Sequence, residues 1–364
     1  MKVVFIVNKM DIGGPQKIVA FLANRMVKDG HDVTVVTYSD KKPNLFLEQS
    51  VKFVNLHYEA GEQNKKNPFA KRLLQVPLLL RIRKTVKSQK PDVLCVFTLS
   101  VLRMVEAALR GCRFTLVSSE RGNPYMYGAR FLKTAGKVYA KCEKVVFQTK
   151  EASELFGISG SAVIPNPALE RDCGAEKQNT GIPNLLLAAG RLEPEKGFDF
   201  LVDCVSEVAK EVECHLRIYG TGSMEDQLKK TIKEKGLTDV VELCGECSHV
   251  FAINHDACAY ILSSYTEGMP NTLIEAMIEG IPCIATDCTS GGPRFLLGGG
   301  KRGILVRTGE KEQMVQAIRR VLLDRETAGK LAGEAVQIRE ELTPDKIYRK
   351  WMDVMQEAAV RAKK

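Results

Sequence analysis

The sequence predicts an α/β protein of two doubly wound, Rossmann-like domains facing a central cleft, followed by C-terminal helices. Three observations carry this reading. Short apolar runs alternate with stretches of helical period along the chain, the pattern of a mostly parallel sheet covered by helices on both faces. The alternation breaks once, at "VIPNPALERDCGAEKQNTGIPN", and then restarts. Finally, 364 residues exceed what one ordinary core organises and suit two domains of roughly 150 to 200 residues each.

In the first half the apolar runs give strands at 3–8, 33–38, 51–56, 92–97, 114–119, 144–149 and 161–165. Between them the helical period gives helices at 15–29, 69–89, 100–111, 128–142 and 150–157. Past a Pro-, Asn- and Gly-rich linker near 166–182, strands follow at 184–189, 214–220, 240–244, 258–263, 282–287 and 303–306. Helices are expected at 197–210, 223–235, 271–279, 311–324, 326–342 and 344–361. The domains are therefore 1–167 and 183–342, with a C-terminal helix at 343–364 that crosses back to the first domain. Ligands of such sheets bind at the carboxyl ends of the strands, which places the ligand in the cleft.

The composition, 45% hydrophobic and 27% charged, is that of a soluble globular protein. The opening "MKVVFIVNKMDIGG" reads as a first strand and not as a signal peptide. No run reaches the roughly 18 apolar residues of a spanning helix, so a cytoplasmic chain is expected. The 11 cysteines are scattered, odd in number and mostly inside apolar runs, as for buried thiols in a reducing compartment. The net charge of +9 is uneven: residues 63–150 hold 19 Lys or Arg against four acids. The first domain is expected to meet something negative.

Two stretches carry the strongest chemistry. In "AAGRLEPEKGFDFLVD" a strand ends at Gly190, and Arg191 and Lys196 stand before a helix start, where free N–H groups and the helix dipole favour an anion. A diphosphate fits; two solvated basic residues in a turn is the bland alternative. In "SYTEGMPNTLIEAMIEGIPCIATD", Glu267 ends a loop, the turn Gly268-Met269-Pro270-Asn271 presents backbone N–H groups, and Glu275 follows on the next helix. Carboxylates suit sugar hydroxyls and free N–H groups suit phosphate. Gly13 and Gly14, in "NKMDIGGPQK", would let backbone approach a phosphate closely, but the stretch is not G-x-G-x-x-G and no acid closes the second strand as in dinucleotide folds.

The series GGPQK, GRLEPEKG, YGTGSMEDQL, VELCGE and EGMPNTLIEA resembles the retaining glycosyltransferases of family 4, bacterial surface-polysaccharide type, which have the GT-B fold and use a nucleotide-sugar donor. The resemblance spans nearly the whole chain. It implies that Arg191 and Lys196 bind the donor diphosphate, that Glu267 contacts the sugar, and that Glu275 holds the ribose. It further implies that backbone of Gly190, of the turn from Gly268 through Met269, Pro270, Asn271 and Thr272 to Leu273, and of Gly13-Gly14 surrounds the sugar and phosphates. Catalysis would rest on Arg191, Lys196 and Glu267, with anomeric configuration kept. No Asp-x-Asp pair occurs in the sequence, so no metal and no cofactor are expected; the nucleotide sugar is a substrate.

One stretch departs from the family pattern. At "TLVSSERGNPY" many members carry a His where Ser119-Glu120-Arg121 stands here. Glu120 is a candidate for orienting the acceptor or acting as base, with Arg121 and Asn123 as acceptor contacts; a structural Glu–Arg pair is the alternative. The five histidines show no ligand spacing, and the single C-x-x-C, Cys244 to Cys247, cannot complete a tetrahedral zinc site.

Residues 65–90 hold nine basic residues and no acid, with leucines at 73, 74, 78, 79 and 80. On a helix this makes a cationic and an apolar face, the pattern of a segment lying on an anionic membrane; a solvated helix packed by its leucines is the alternative. Lys133, Lys137 and Lys141 form a second cationic stripe. Aromatic residues do not interleave with the basic run, which argues against nucleic acid. The expected function is transfer of a hexose or N-acetylhexosamine from a nucleotide sugar, UDP being the expected nucleotide, to a saccharide acceptor linked through a lipid diphosphate at the inner membrane face. A soluble sugar-phosphate acceptor and a non-catalytic donor-binding subunit are the alternatives.

Overall fold

The computed structural model describes residues 1–10, 13–38, 47–58, 68–169 and 178–361. The chain divides into two compact units, Met1–Pro165 with Ile347–Lys364, and Asn166–Lys346. Each is a parallel α/β sheet, and sheet, helices and C-terminal helices together are the GT-B architecture.

The first unit is built from β1 (Lys2–Val7), α1 (Gly14–Lys28), β2 (Asp32–Thr37), β3 (Lys52–Asn55), α2 (Pro68–Gln89), β4 (Val93–Phe97), α3 (Leu99–Ala108), β5 (Leu116–Ser119), α4 (Ala129–Tyr139), β6 (Lys144–Phe147), α5 (Lys150–Phe156) and β7 (Ala162–Val163). The strand order β3-β2-β1-β4-β5-β6-β7 turns back at β1 and β4. Strands β1 and β4 are apolar on both faces and buried almost throughout, as central strands of a doubly covered sheet must be. Where a cap is visible its chemistry is ordinary: Thr149 accepts from Ala152 N to start α5, and Gly157 at φ 56° ends it.

Helix α2 packs by Leu78, Ile82 and Val86, four residues apart, against the sheet. The apolar face differs from the leucine set expected from sequence: Leu80 is 62% exposed, and Leu73 and Leu74 lie outside the described side chains. Arg81 donates to the carbonyls of Leu56 and His57, and Arg83 to those of Ala108 and Arg110, so two of the cations serve as struts. In α4 the stripe shortens as well, because the helix ends at Tyr139 and Lys141 pairs with Glu106.

The second unit contains β8 (Leu185–Ala189), α6 (Phe198–Val208), β9 (His215–Tyr219), α7 (Glu225–Glu234), β10 (Val241–Gly245), β11 (Ala259–Leu262), α8 (Asn271–Ile278), β12 (Cys283–Asp287), α9 (Gly292–Leu296), β13 (Ile304–Arg307), α10 (Lys311–Leu323), α11 (Arg325–Val336) and α12 (Ile338–Glu341). Its sheet runs β10-β9-β8-β11-β12-β13, all parallel, and turns back at β8 and β11. The expected helix 326–342 is two helices, with Gln337 between them. The short α9 was not foreseen.

Helix α13 (Pro344–Arg361) begins in the second unit, and from Ile347 onward belongs to the first. There Ile347, Trp351, Met355 and Ala358, on one helical face, are fully buried. The Trp351 ring stacks on Phe97 with centroids 5.7 Å apart, and Lys144 pairs with Glu357 at 2.6 Å.

Candidate functional site

The second unit offers a ligand the carboxyl ends of β8 and β11, where the strand order reverses and the two following loops diverge. Gly190 continues β8 by donating its N–H to the Tyr219 carbonyl at 2.9 Å. Its neighbour Gly220 has φ 140°, and a Cβ there would meet the Gly190 oxygen at 1.8 Å, so only glycine lets these two strand ends close up. Arg191 points outward, 69% exposed, and pairs with Glu195 at 2.9 Å.

Lys196 is held at both ends. Its carbonyl accepts from Ser263 Oγ at 2.9 Å, and its Nζ lies 2.6 Å from Glu267 Oε1. Ser264 Oγ donates to the same oxygen at 2.8 Å. The side chains of Lys196 and Glu267 are only 20% and 11% exposed, so the pair interacts through less water than a surface ion pair. Glu267 Oε2 takes no donor from the described residues, which leaves an acceptor for a hydroxyl group.

After Glu267 the chain turns through Gly268, Met269 and Pro270 into α8. Ser290 Oγ donates to the carbonyls of Glu267 and Gly268. Gly292 packs so tightly beneath the turn that a Cβ would meet the Gly268 oxygen at 2.0 Å. Thr272 Oγ1 accepts from the buried Tyr260 hydroxyl at 2.7 Å; burial pushes that phenol well above its ordinary range, so it stays a donor. Helix α8 has no side-chain cap, so its first-turn N–H groups and positive dipole end lie open to an anion. Glu275, on α8, lines a small open hollow with Ser248, His249, Val250 and Phe251.

Thus Gly190, Lys196, Glu267, the 268–273 turn and Glu275 share one end of one sheet. Sequence reasoning missed Ser264, Ser290, Gly292, Tyr260 and Asn166, which brace them. The Gly291-Gly292-Pro293 run after a strand was the one visible signal. Gly13 and Gly14 lie in the first unit, where Gly13 starts α1 with extended backbone just after β1.

In the Ser119-Glu120-Arg121 stretch both charged side chains are buried, in keeping with the structural alternative. Glu120 is 2% exposed. Its Oε1 accepts from the N–H groups of Arg121 and Gly122 at 3.0 and 2.9 Å, and its Oε2 from Leu99 N and Tyr139 OH at 3.3 and 2.7 Å. Each oxygen of this carboxylate is thus engaged by two donors. Arg121, 6% exposed, donates to Ser119 Oγ and the Ile164 carbonyl and lies 5.1 Å over the Trp351 ring. Burial pulls its guanidinium down to about 9, against the opposing pull of Cys95 and Glu120, so it remains charged at neutral pH. Asn123 accepts from Tyr125 N and caps the short turn Pro124–Met126. All three make these contacts within the first unit.

The ten described cysteines are free thiols, and burial pushes Cys244 up to about 11. Among the described residues no group of three metal-ligating side chains converges, and no helix is long and apolar enough to cross a membrane.

Two parallel sheets that each turn back at a pair of central strands, with an ion-paired lysine and an uncapped helix at one such turn, match the GT-B fold. Residues 12–167 match the model of Glycosyltransferase Family 4 and residues 175–337 that of Glycosyl transferases group 1; the chain belongs to the family 4 glycosyltransferases. It is 26% identical over 360 residues to an uncharacterized glycosyltransferase of Haemophilus influenzae, covering 96% of this chain and 98% of that one. It is 23% identical, over 98% of this chain and 99% of that one, to the GalNAc-alpha-(1->4)-GalNAc-alpha-(1->3)-diNAcBac-PP-undecaprenol alpha-1,4-N-acetyl-D-galactosaminyltransferase of Campylobacter jejuni. The structure of Anabaena HepE in complex with UDP-glucose superimposes with a TM-score of 0.82 at 18% identity, over 98% of this chain and 99% of that one.

Proposed function

We propose that this glycosyltransferase is a retaining, metal-independent enzyme that moves a hexose or N-acetylhexosamine from a UDP-sugar to a lipid-diphosphate-linked oligosaccharide in bacterial surface-polysaccharide assembly. The observation that carries the donor half is the Lys196–Glu267 pair at 2.6 Å beside the uncapped start of α8. A leaving diphosphate gathers negative charge, and Lys196, Arg191 and the helix dipole supply fixed positive potential where that charge develops. Glu267, already engaged by Lys196 and Ser264, suits sugar hydroxyls better than covalent attack. The acceptor proton then passes to the leaving phosphate on the same face, which keeps the anomeric configuration.

The acceptor half is supported by the Campylobacter relative, whose name contains PP-undecaprenol, and by the surface of the first unit. Val76 and Leu80 are exposed on α2, as are Lys84 and Lys87. Tyr125 and Met126 are exposed just before α4, which presents Arg130, Lys133 and Lys137. Apolar side chains beside cations suit an anionic bilayer surface, and the enzyme would work there on the cytoplasmic face.

The test is a thermal-shift screen of UDP, GDP, their common sugars and NAD, with and without chelator, followed by transfer assays with lipid-linked and soluble acceptors. A rise with UDP-sugars that chelator leaves unchanged is expected, lost in Glu275→Ala by about 1.5–3 kcal/mol of binding energy. No shift with any sugar nucleotide at millimolar concentration sinks the donor site. Fast transfer to a sugar phosphate without lipid overturns the acceptor.

A further inference from the structure

Asn166 is the first residue of the second unit and only 1% exposed. Its backbone N–H points at Met269 Sδ at 3.2 Å, and its Nδ2 donates to the Met269 carbonyl at 3.2 Å and to Asn271 Oδ1 at 2.7 Å. These contacts fix the atoms in sequence. A backbone carbonyl only accepts, so the Asn166 atom facing it is the amide nitrogen. That nitrogen needs an acceptor from Asn271, which therefore turns its oxygen toward Asn166 and its own NH2 group away. Asn271 is also the first residue of α8, which follows Pro270 at the N-cap position and has no side-chain cap. The chain is fastened a second time just beyond, where Ala168 N donates to the Leu342 carbonyl at 2.8 Å.

We propose that Asn166 is a positioning residue for the donor: it turns the Asn271 amide so that its N–H groups join the open first turn of α8 in facing a diphosphate, and it seats that turn on the segment where the chain enters the unit. The inference rests on the reading that this turn holds the nucleotide-sugar donor.

The experiment is calorimetric titration of the full chain with UDP, and with GDP in parallel, for wild type, Asn166→Ala, Asn166→Asp, Asn271→Ala and the double variant Asn166→Ala/Asn271→Ala. Asn166→Ala weakens nucleotide binding about tenfold, the size of one lost polar contact. Asn166→Asp, which offers only acceptors and turns the Asn271 amide round, weakens it further. In the Asn271→Ala background the Asn166→Ala effect falls below about threefold, because the group it positions has gone. A core variant away from the turn, Val202→Ala, lowers the melting temperature yet keeps affinity within about twofold. Donor KM rises in the Asn166 variants while acceptor KM does not. Affinity within about twofold of wild type in both Asn166 variants, or an undiminished effect in the Asn271→Ala background, overturns the proposal. If wild type binds neither nucleotide, the donor reading itself fails and takes this inference with it.

Discussion

Glu120 stands in the stretch where many family members carry a histidine, and its surroundings are those of a buried anchor. Four donors converge on one carboxylate that is 2% exposed. Glu120→Gln keeps the shape but sets an NH2 group against N–H donors, leaving at least one of them unsatisfied. The variant is expected to lose about 1–3 kcal/mol, seen as a lower urea midpoint with unchanged slope; an unmoved midpoint removes the anchoring role. None of this was legible in "SSERGN", because the burial of Glu120 comes from Leu99 and Tyr139, on separate helices. Lys196 and Glu267 were each readable as donor contacts through the family motifs. Their pairing was not, since they stand 71 residues apart in the chain. Asn166 read as linker for the same reason: its partners lie 103 and 105 residues away.

At the scale of elements, alternation located each of the strands β1 to β13, because strands buried on both faces are short unbroken apolar runs. It failed where length or exposure misleads. The five-residue α9 is too short to show a helical period, and α2 carries leucines on its outer face as well as its inner one. The join between linker and β8 depends on Asp256, whose carboxylate accepts from Thr180 N and Gly181 N, both at 2.9 Å, and from Thr180 Oγ1. Burial alone would raise its pKa, but these donors outweigh it and hold the carboxyl below its usual range. A depressed acid stabilises the fold above its unfolded pKa, about 3.9, and that contribution disappears as pH falls through the lower folded value. Asp256→Asn is therefore expected to be less stable than wild type at pH 7, the gap narrowing below about pH 4. A constant gap across acid titration counts against the carboxylate.

The molecule as a whole is two units, one of them discontinuous in sequence. The first unit is completed by residues from the far end of the chain, with Trp351 fully buried on Phe97 and beneath Arg121. Trp351→Ala is expected to cost about 3–5 kcal/mol, as for large aromatic truncations. Because the units have separate cores, the loss should be local: hydrogen exchange accelerates in β1, β4 and β5, while β8, β9 and β11 keep their protection. Uniform acceleration in both sheets would mean that the units unfold together. Since synthesis supplies Trp351 after the whole of the second unit, the first unit lacks part of its core until the second has been made. The same residue is the chain's only tryptophan, so its near-ultraviolet emission comes from a single place. The donor turn carries no such fluorophore, and a nucleotide titration that alters this emission would report either contact with the first unit or a signal carried through the crossings at 165–166 and 346–347.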